Sequence, residues 1–267
     1  MIGTIKPGDN KDEVLKLCGL LGYIPGKKDY SEDLVEKVKN FQKNNNLTVD
    51  GIVGPKTWLS LFIDNRMKVY KRDCEIKDFD YSWAGEYLGC EPECLMAVVD
   101  VETGGKNGFI ESGKPQILFE GHIFWKELKE RGINPEPLSK EYPNIVYQKW
   151  DKSKYYGGIK EYERFNLASR IDLDSAISAT SWGMFQILGN NYKLCSCESP
   201  QDFHSKVCES QVWQFILGIE FIRNSGLSKY LEIKDWAKFA KGYNGPGYSQ
   251  NKYDTKLKDA YVKHKKC

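Results

Sequence analysis

Between residues 12 and 62 the apolar positions recur at helical spacing in three short runs. Val14, Leu17, Leu20 and Leu21 follow the order i, i+3, i+6, i+7. Asn10 or Asp12 can cap that helix, and Gly22 with the Pro25-Gly26 pair stops it. Leu34, Val35, Val38 and Phe41 mark a second helix, with Ser31 as its cap, Glu32 and Asp33 in its first turn and Asn44-Asn45-Asn46 at its end. Asp50-Gly51 reads as a turn, and Pro55 suits the first turn of a third helix with Trp58, Leu61 and Phe62 on one side. Three short helices around a small core predict one domain over residues 1–68. Residues 69–84 are charged and without period, which predicts a linker. From residue 85 the pattern predicts a larger, mainly α-helical domain reaching 267. It holds a helix opened by Glu91-Pro92-Glu93, with a Leu95, Val98, Val99 stripe and a Thr103-Gly104-Gly105 stop. A minor β-element is expected at Gln116–Glu120, and a core helix over 207–223 carrying Val212, Phe215, Ile216, Ile219 and Ile222. The Lys-rich end from Lys252 predicts a solvated helix.

Composition narrows the function classes. A chain of 267 residues with 40% hydrophobic and 28% charged side chains can build two cores, which excludes wholesale disorder. The net charge is +2, and residues 1–70 carry eleven basic against nine acidic side chains, so the rest is neutral. That balance argues against a nucleic-acid partner. The three histidines, His122, His204 and His264, are too few for a His-rich metal site. The eight cysteines include Cys90-x3-Cys94 and Cys195-x-Cys197 but no C-x2-C knuckle. Reduced thiols, no metal and no cofactor are expected. The longest apolar run, Cys94–Val99, is far below the ~20 residues of a membrane span. With no apolar signal near Met1, the expectation is a chain folded in a cytoplasm and not inserted in a membrane.

One acid stands out. Glu102 lies four residues after Val98, on the apolar face of its helix and beside a glycine turn. Partial burial would raise its pKa and let it deliver a proton near neutral pH. From this segment alone, an exposed acid on a fraying last turn reads equally well.

Longer patterns add resemblances. Phe41–Phe62, FQKNNNLTVDGIVGPKTWLSLF, resembles the second half of the peptidoglycan-binding module of wall-degrading enzymes. The resemblance implies wall binding at the turn of Asp50 and Gly51, with Trp58 in the core. The stretch Ala179–Ile187, ATSWGMFQI, resembles the S-x-G-x-x-Q-I motif of goose-type lysozymes and lytic transglycosylases, and Lys241–Gly247 resembles their A-Y-N-x-G-x-G motif. Val101–Leu128 together with TSWGMFQILGNNY is similar to the N-acetylmuramidase domain of modular phage endolysins. The implied fold is a helical, lysozyme-like catalytic domain behind a three-helix binding domain. The implied activity is hydrolysis of the β-1,4 bond between N-acetylmuramic acid and N-acetylglucosamine. The alternative is a lytic transglycosylase, in which the muramic 6-hydroxyl replaces water. The implied partner is the peptidoglycan strand, met by a monomer that stays in the host cytoplasm until release.

Roles follow from that resemblance. Glu102 is the expected general acid. Glu120 is the first candidate for a second carboxylate, with Glu111 behind it. Its alternative is a structural acid held by His122 or backbone amides. Ser181 or Thr180, Gln186, Tyr243 and Asn244 are the expected substrate contacts, with Gly245-Pro246-Gly247 allowing close backbone approach. Met184, Phe185 and Ile187 read as core. Trp150, Tyr155 and Tyr156 suit either a carbohydrate cleft or a loop packed on itself.

Overall fold

The computed structural model describes residues 2–24, 29–69, 75–105, 108–245, 249 and 251–266, the side chain of Val69 apart. Pro25-Gly26, Cys74, Pro246-Gly247 and Cys267 therefore lie outside the described residues. The chain divides into two compact units, residues 1–74 with 86–89, and residues 75–85 with 90–267.

In the first unit, α1 (Asp12–Leu20), α2 (Glu32–Asn44) and α3 (Pro55–Val69) match the three periodic runs. Val14, Leu17, Leu34, Val38, Trp58 and Leu61 are buried together with Ile5 and Val53, whose backbones form a bridge. Two details differ from expectation. Lys11 is the cap position of α1, and the Ser31 side chain makes no capping bond on α2. On α2 the fully covered position after Val38 is Gln42 rather than Phe41, because the Gln42 amide bonds the loop before α3.

The stretch expected as a linker is helical at both sides. α3 continues to Val69, and α4 spans Asp78–Leu88. Asp78 and Asp80 sit in the first turn of α4, where acids oppose the helix dipole, and the Asp80 carboxylate accepts the Lys77 N–H at 2.8 Å. A charged run that looks aperiodic is here a helix start.

After α4 the second unit continues with α5 (Pro92–Thr103), stopped by Gly104 at φ +58°. A short hairpin of β1 (Phe109–Glu111) and β2 (Lys114–Pro115) follows. β3 (Ile117–Phe119) then leads into α6 (Gly121–Glu130) and α7 (Pro135–Glu141). After a long loop come α8 (Glu161–Ile171) and α9 (Leu173–Ser178). β4 (Thr180–Trp182) and β5 (Ile187–Leu188) complete an antiparallel sheet of order β3-β4-β5. Met184, Phe185 and Ile187 are buried, as their pattern predicted.

The expected helix over 207–223 is two helices, α10 (Pro200–Glu209) and α11 (Gln211–Asn224). Ser210 breaks them, its hydroxyl capping the Trp213 N–H at 3.1 Å. The five apolar positions expected in the core of that stretch are all buried. α12 (Ser228–Glu232), α13 (Trp236–Asn244) and α14 (Tyr253–His264) close the chain. α14 is not simply solvated, because it packs along α5. Tyr261 donates to Glu91 at 2.6 Å, Lys265 pairs with Glu91 and Glu93, and His264 meets Asp100 at 2.8 Å.

Candidate functional site

Glu102 sits one residue before the end of α5, partly exposed. Burial pushes its carboxyl up to about 8, against a hydrogen bond from Tyr253 that pulls it down. Tyr253 is the first residue of α14, so the packing of α14 on α5 delivers its hydroxyl to Glu102. A carboxyl in that condition holds its proton through neutral pH and can pass it to a leaving oxygen.

Tyr243, near the end of α13, faces the same place. Its phenol is held well above the usual range by burial and then by the charge of Glu102. Its hydroxyl donates to the Phe185 carbonyl at 2.8 Å, and its ring stacks on Phe239 and meets Phe221 edge-on. Tyr243 therefore joins the β4–β5 turn to the neighbourhood of Glu102.

That turn is built by its own side chains. Gln186 adopts φ +46°, uncommon for a residue with a Cβ. Its side-chain amide donates to the Gly183 carbonyl at 2.8 Å and to the Gln116 carbonyl at 3.2 Å. Both amide protons thus serve the turn, and the amide oxygen is the part of Gln186 left to accept from a ligand. Beneath it, buried Gln214 accepts the Met184 N–H at 2.8 Å and donates to Val207 at 3.0 Å. Ser181 lies mid-strand in β4, partly exposed, while Thr180 is buried and donates to the Ala176 carbonyl at 2.8 Å. Asn244 is exposed at the last position of α13.

Glu120 is placed elsewhere. The chain from Gln116 to Glu120 is extended and covers about 13 Å at about 3.3 Å per residue. Gln116 is at the Gln186 end of the sheet. Glu120 is at the other, where its N–H bonds to the Ala179 carbonyl at 2.8 Å. Its carboxylate accepts the Tyr155 hydroxyl and lies 3.4 Å from His122 Nδ1. The strand thus carries Glu120 away from the end where Tyr243 meets the turn. At its own end of the sheet Glu120 is held by a tyrosine and a histidine. Glu111 is exposed and pairs with Lys114 at 2.9 Å.

Two further contributors emerge. Sequence alone leaves Tyr155 open between a carbohydrate cleft and a loop packed on itself. Tyr253 went unremarked, although Tyr253, Leu257 and Tyr261 recur every four residues and mark the face that packs on α5.

In the first unit, Asp50 is exposed and Gly51 buried. The Gly51 N–H bonds Gln42 at 2.9 Å and its carbonyl accepts the Tyr30 hydroxyl at 2.6 Å. Asp50 accepts the Ile52 N–H at 2.8 Å and a Gln42 amide proton at 3.0 Å. Gly51 therefore shapes the turn, while Asp50 lines a cavity of about 230 Å³ with Leu47, Thr48, Ile52, Lys56 and Thr57.

Among the described residues no three His, Cys, Asp or Glu side chains gather as metal ligands. Cys18, Cys90, Cys94, Cys195, Cys197 and Cys208 are free thiols. Among those residues no helix is long and apolar enough to cross a membrane.

Comparison with known proteins assigns the chain to a family. Residues 91–265 match the N-acetylmuramidase family, and residues 14–61 match the domain described as "Putative peptidoglycan binding domain". A solved structure, the endolysin of the Burkholderia phage AP3, is similar with TM-score 0.67 and 32% identity. The similarity covers 99% of this chain and 100% of that one. The N-acetylmuramidase match takes in well over half the chain, including Glu102, the β4–β5 turn and Tyr243, and the chain belongs to the N-acetylmuramidase family of peptidoglycan-degrading endolysins.

Proposed function

We propose that the second unit cleaves the β-1,4 bond between N-acetylmuramic acid and N-acetylglucosamine, with Glu102 as general acid. The observation that carries this reading is one partly exposed carboxyl, raised to about 8 by burial and oriented by Tyr253. Glu102 protonates the glycosidic oxygen as the bond lengthens toward an oxocarbenium-like state, and water then attacks the sugar, giving up a proton to the Glu102 carboxylate and restoring the acid. Tyr243 and the Gln186 amide oxygen hold the glycan, with Ser181 and Asn244 along the same edge. Glu120 positions the Tyr155 loop and takes no proton from the reaction. The first unit holds the wall in the groove beside Asp50, with Gly51 shaping the turn beneath. The enzyme works as a monomer without a cofactor and stays in the host cytoplasm until release.

The decisive experiment is mass spectrometry of the fragments released from purified peptidoglycan. Reducing muramic ends support hydrolysis; 1,6-anhydromuramic ends throughout would replace water by the muramic 6-hydroxyl and make the protein a lytic transglycosylase. Wall clearing by Glu102→Gln at the parent rate would remove Glu102 from the mechanism.

A further inference from the structure

The loop between α7 and α8 is pinned by a buried ion pair. Arg164 and Glu161 are fully buried and 2.8 Å apart. Arg164 also donates to the carbonyls of Phe119 (2.8 Å) and Asn144 (3.1 Å) and to the Tyr147 hydroxyl (3.0 Å). Glu161 accepts the N–H groups of Tyr156 at 2.6 Å and Gly157 at 2.9 Å. Desolvating such a pair is costly, and the bonds that offset the cost tie this loop to α8 and, through Phe119, α8 to β3.

What the loop presents is unusual for so rigid a segment. Trp150 is 61% exposed and Tyr156 is 44% exposed. The Trp150 indole neighbours Tyr155, whose hydroxyl donates to Glu120. Much of the indole ring faces water. Around it Gln148, Lys149, Lys152 and Ser153 are exposed. An aromatic face ringed by hydrogen-bonding groups matches a pyranose, which has an apolar C–H face and a rim of hydroxyls. It does not match the broad apolar patch of a protein interface.

We propose that Trp150 is an outlying sugar-stacking subsite of the glycan cleft, positioned by Tyr155 and Glu120, that takes a pyranose ring beyond the bond to be cut. It rests on the glycan-cleaving reading, and the extended segment at β3 spans the about 13 Å between the Gln186 turn and Glu120. β3 runs from the Gln186 turn to Glu120, and Glu120 reaches Trp150 through Tyr155. C–H groups on the sugar face meet the electron-rich indole face, and the fixed loop spares the binding the entropy of ordering that side chain. Glu120 is here a positioning residue.

The test uses the full chain carrying Glu102→Gln, so that binding is read without cleavage. The hexamer and the dimer of β-1,4-linked N-acetylglucosamine serve as probes in calorimetric titration. Adding Trp150→Ala is expected to weaken the hexamer about tenfold and leave the dimer unchanged. Tyr155→Phe, which keeps the ring but loses the bond to Glu120, is expected to weaken the hexamer by less. In the otherwise native enzyme Trp150→Ala raises KM on intact walls more than it lowers kcat. Equal hexamer affinity with and without Trp150 overturns the subsite even if cleavage stands. If the native chain cuts no wall while Trp150→Ala still weakens the hexamer, the cleavage reading falls and the subsite survives.

Discussion

At the scale of single residues, the proposed chemistry turns on a conflict at Glu102. Burial raises its pKa to about 8 while the Tyr253 hydroxyl favours the charged form. Activity that needs the protonated acid is therefore expected to fall as pH rises through about 8. Tyr253→Phe removes the opposing hydrogen bond, so the alkaline limb of the pH–rate profile moves to higher pH; a shift downward would contradict the assignment. The same conflict carries a stability cost. In the unfolded chain the carboxyl releases its proton near 4.5, in the folded chain near 8. Below the lower value both states hold the proton and nothing is lost. Stability is then lost as pH rises from about 4.5 through about 8, at up to about 1.4 kcal/mol per pH unit. Glu102→Gln is expected to cut activity by roughly 10²–10⁴-fold. It should also raise the Tm at pH 8 and leave it unchanged at pH 4. A calorimetric scan at both pH values checks the second part.

At the scale of elements, the parts set by local pattern were legible and those set by distant packing were not. The three helices of the first unit, α5 with its glycine stop and the strand before Glu120 follow from spacing within the segment. Glu102 was legible for the same reason, as an acid on an apolar face. Tyr253 was not, because its contact is made across about 150 residues and exists only once α14 lies along α5. Which end of the sheet Glu120 reaches was not legible either, because a strand's direction and length decide it once the chain is folded. Gly51 shows the turn chemistry at work. Its φ is +72°, and a Cβ there would stand 2.9 Å from Val35 Cγ1. Gly51→Ala is therefore expected to destabilise the first unit by about 1–3 kcal/mol, backbone strain and crowding together. Thermal unfolding reads this directly, and an unchanged midpoint would mean that the turn relaxes around the methyl group.

At the scale of the whole molecule, charge separates two ways of holding a wall. Peptidoglycan presents neutral sugars alongside peptide carboxylates, so a binder can use a cationic field or a fitted groove. The chain carries 39 basic and 37 acidic side chains, and the small excess lies within residues 1–70. The groove of the first unit has Asp50 and Lys56 on its lining, so its own charges offset one another. A long-range field is thus weak, and retention has to come from short contacts that salt screens little. Raising salt from about 0.1 M to about 1 M shortens the Debye length from about 10 Å to about 3 Å. A cationic binder loses most of its hold over that range. Here the fraction of Glu102→Gln protein sedimenting with purified walls is expected to change less than about threefold, since the charges at the groove offset one another. Substituting Asp50 by Ala, which removes the Ile52 turn bond and one groove wall, should release more protein than the salt does. A steep loss with salt and none with Asp50→Ala would mean that the wall is held by the lysines scattered over the surface instead of by the groove.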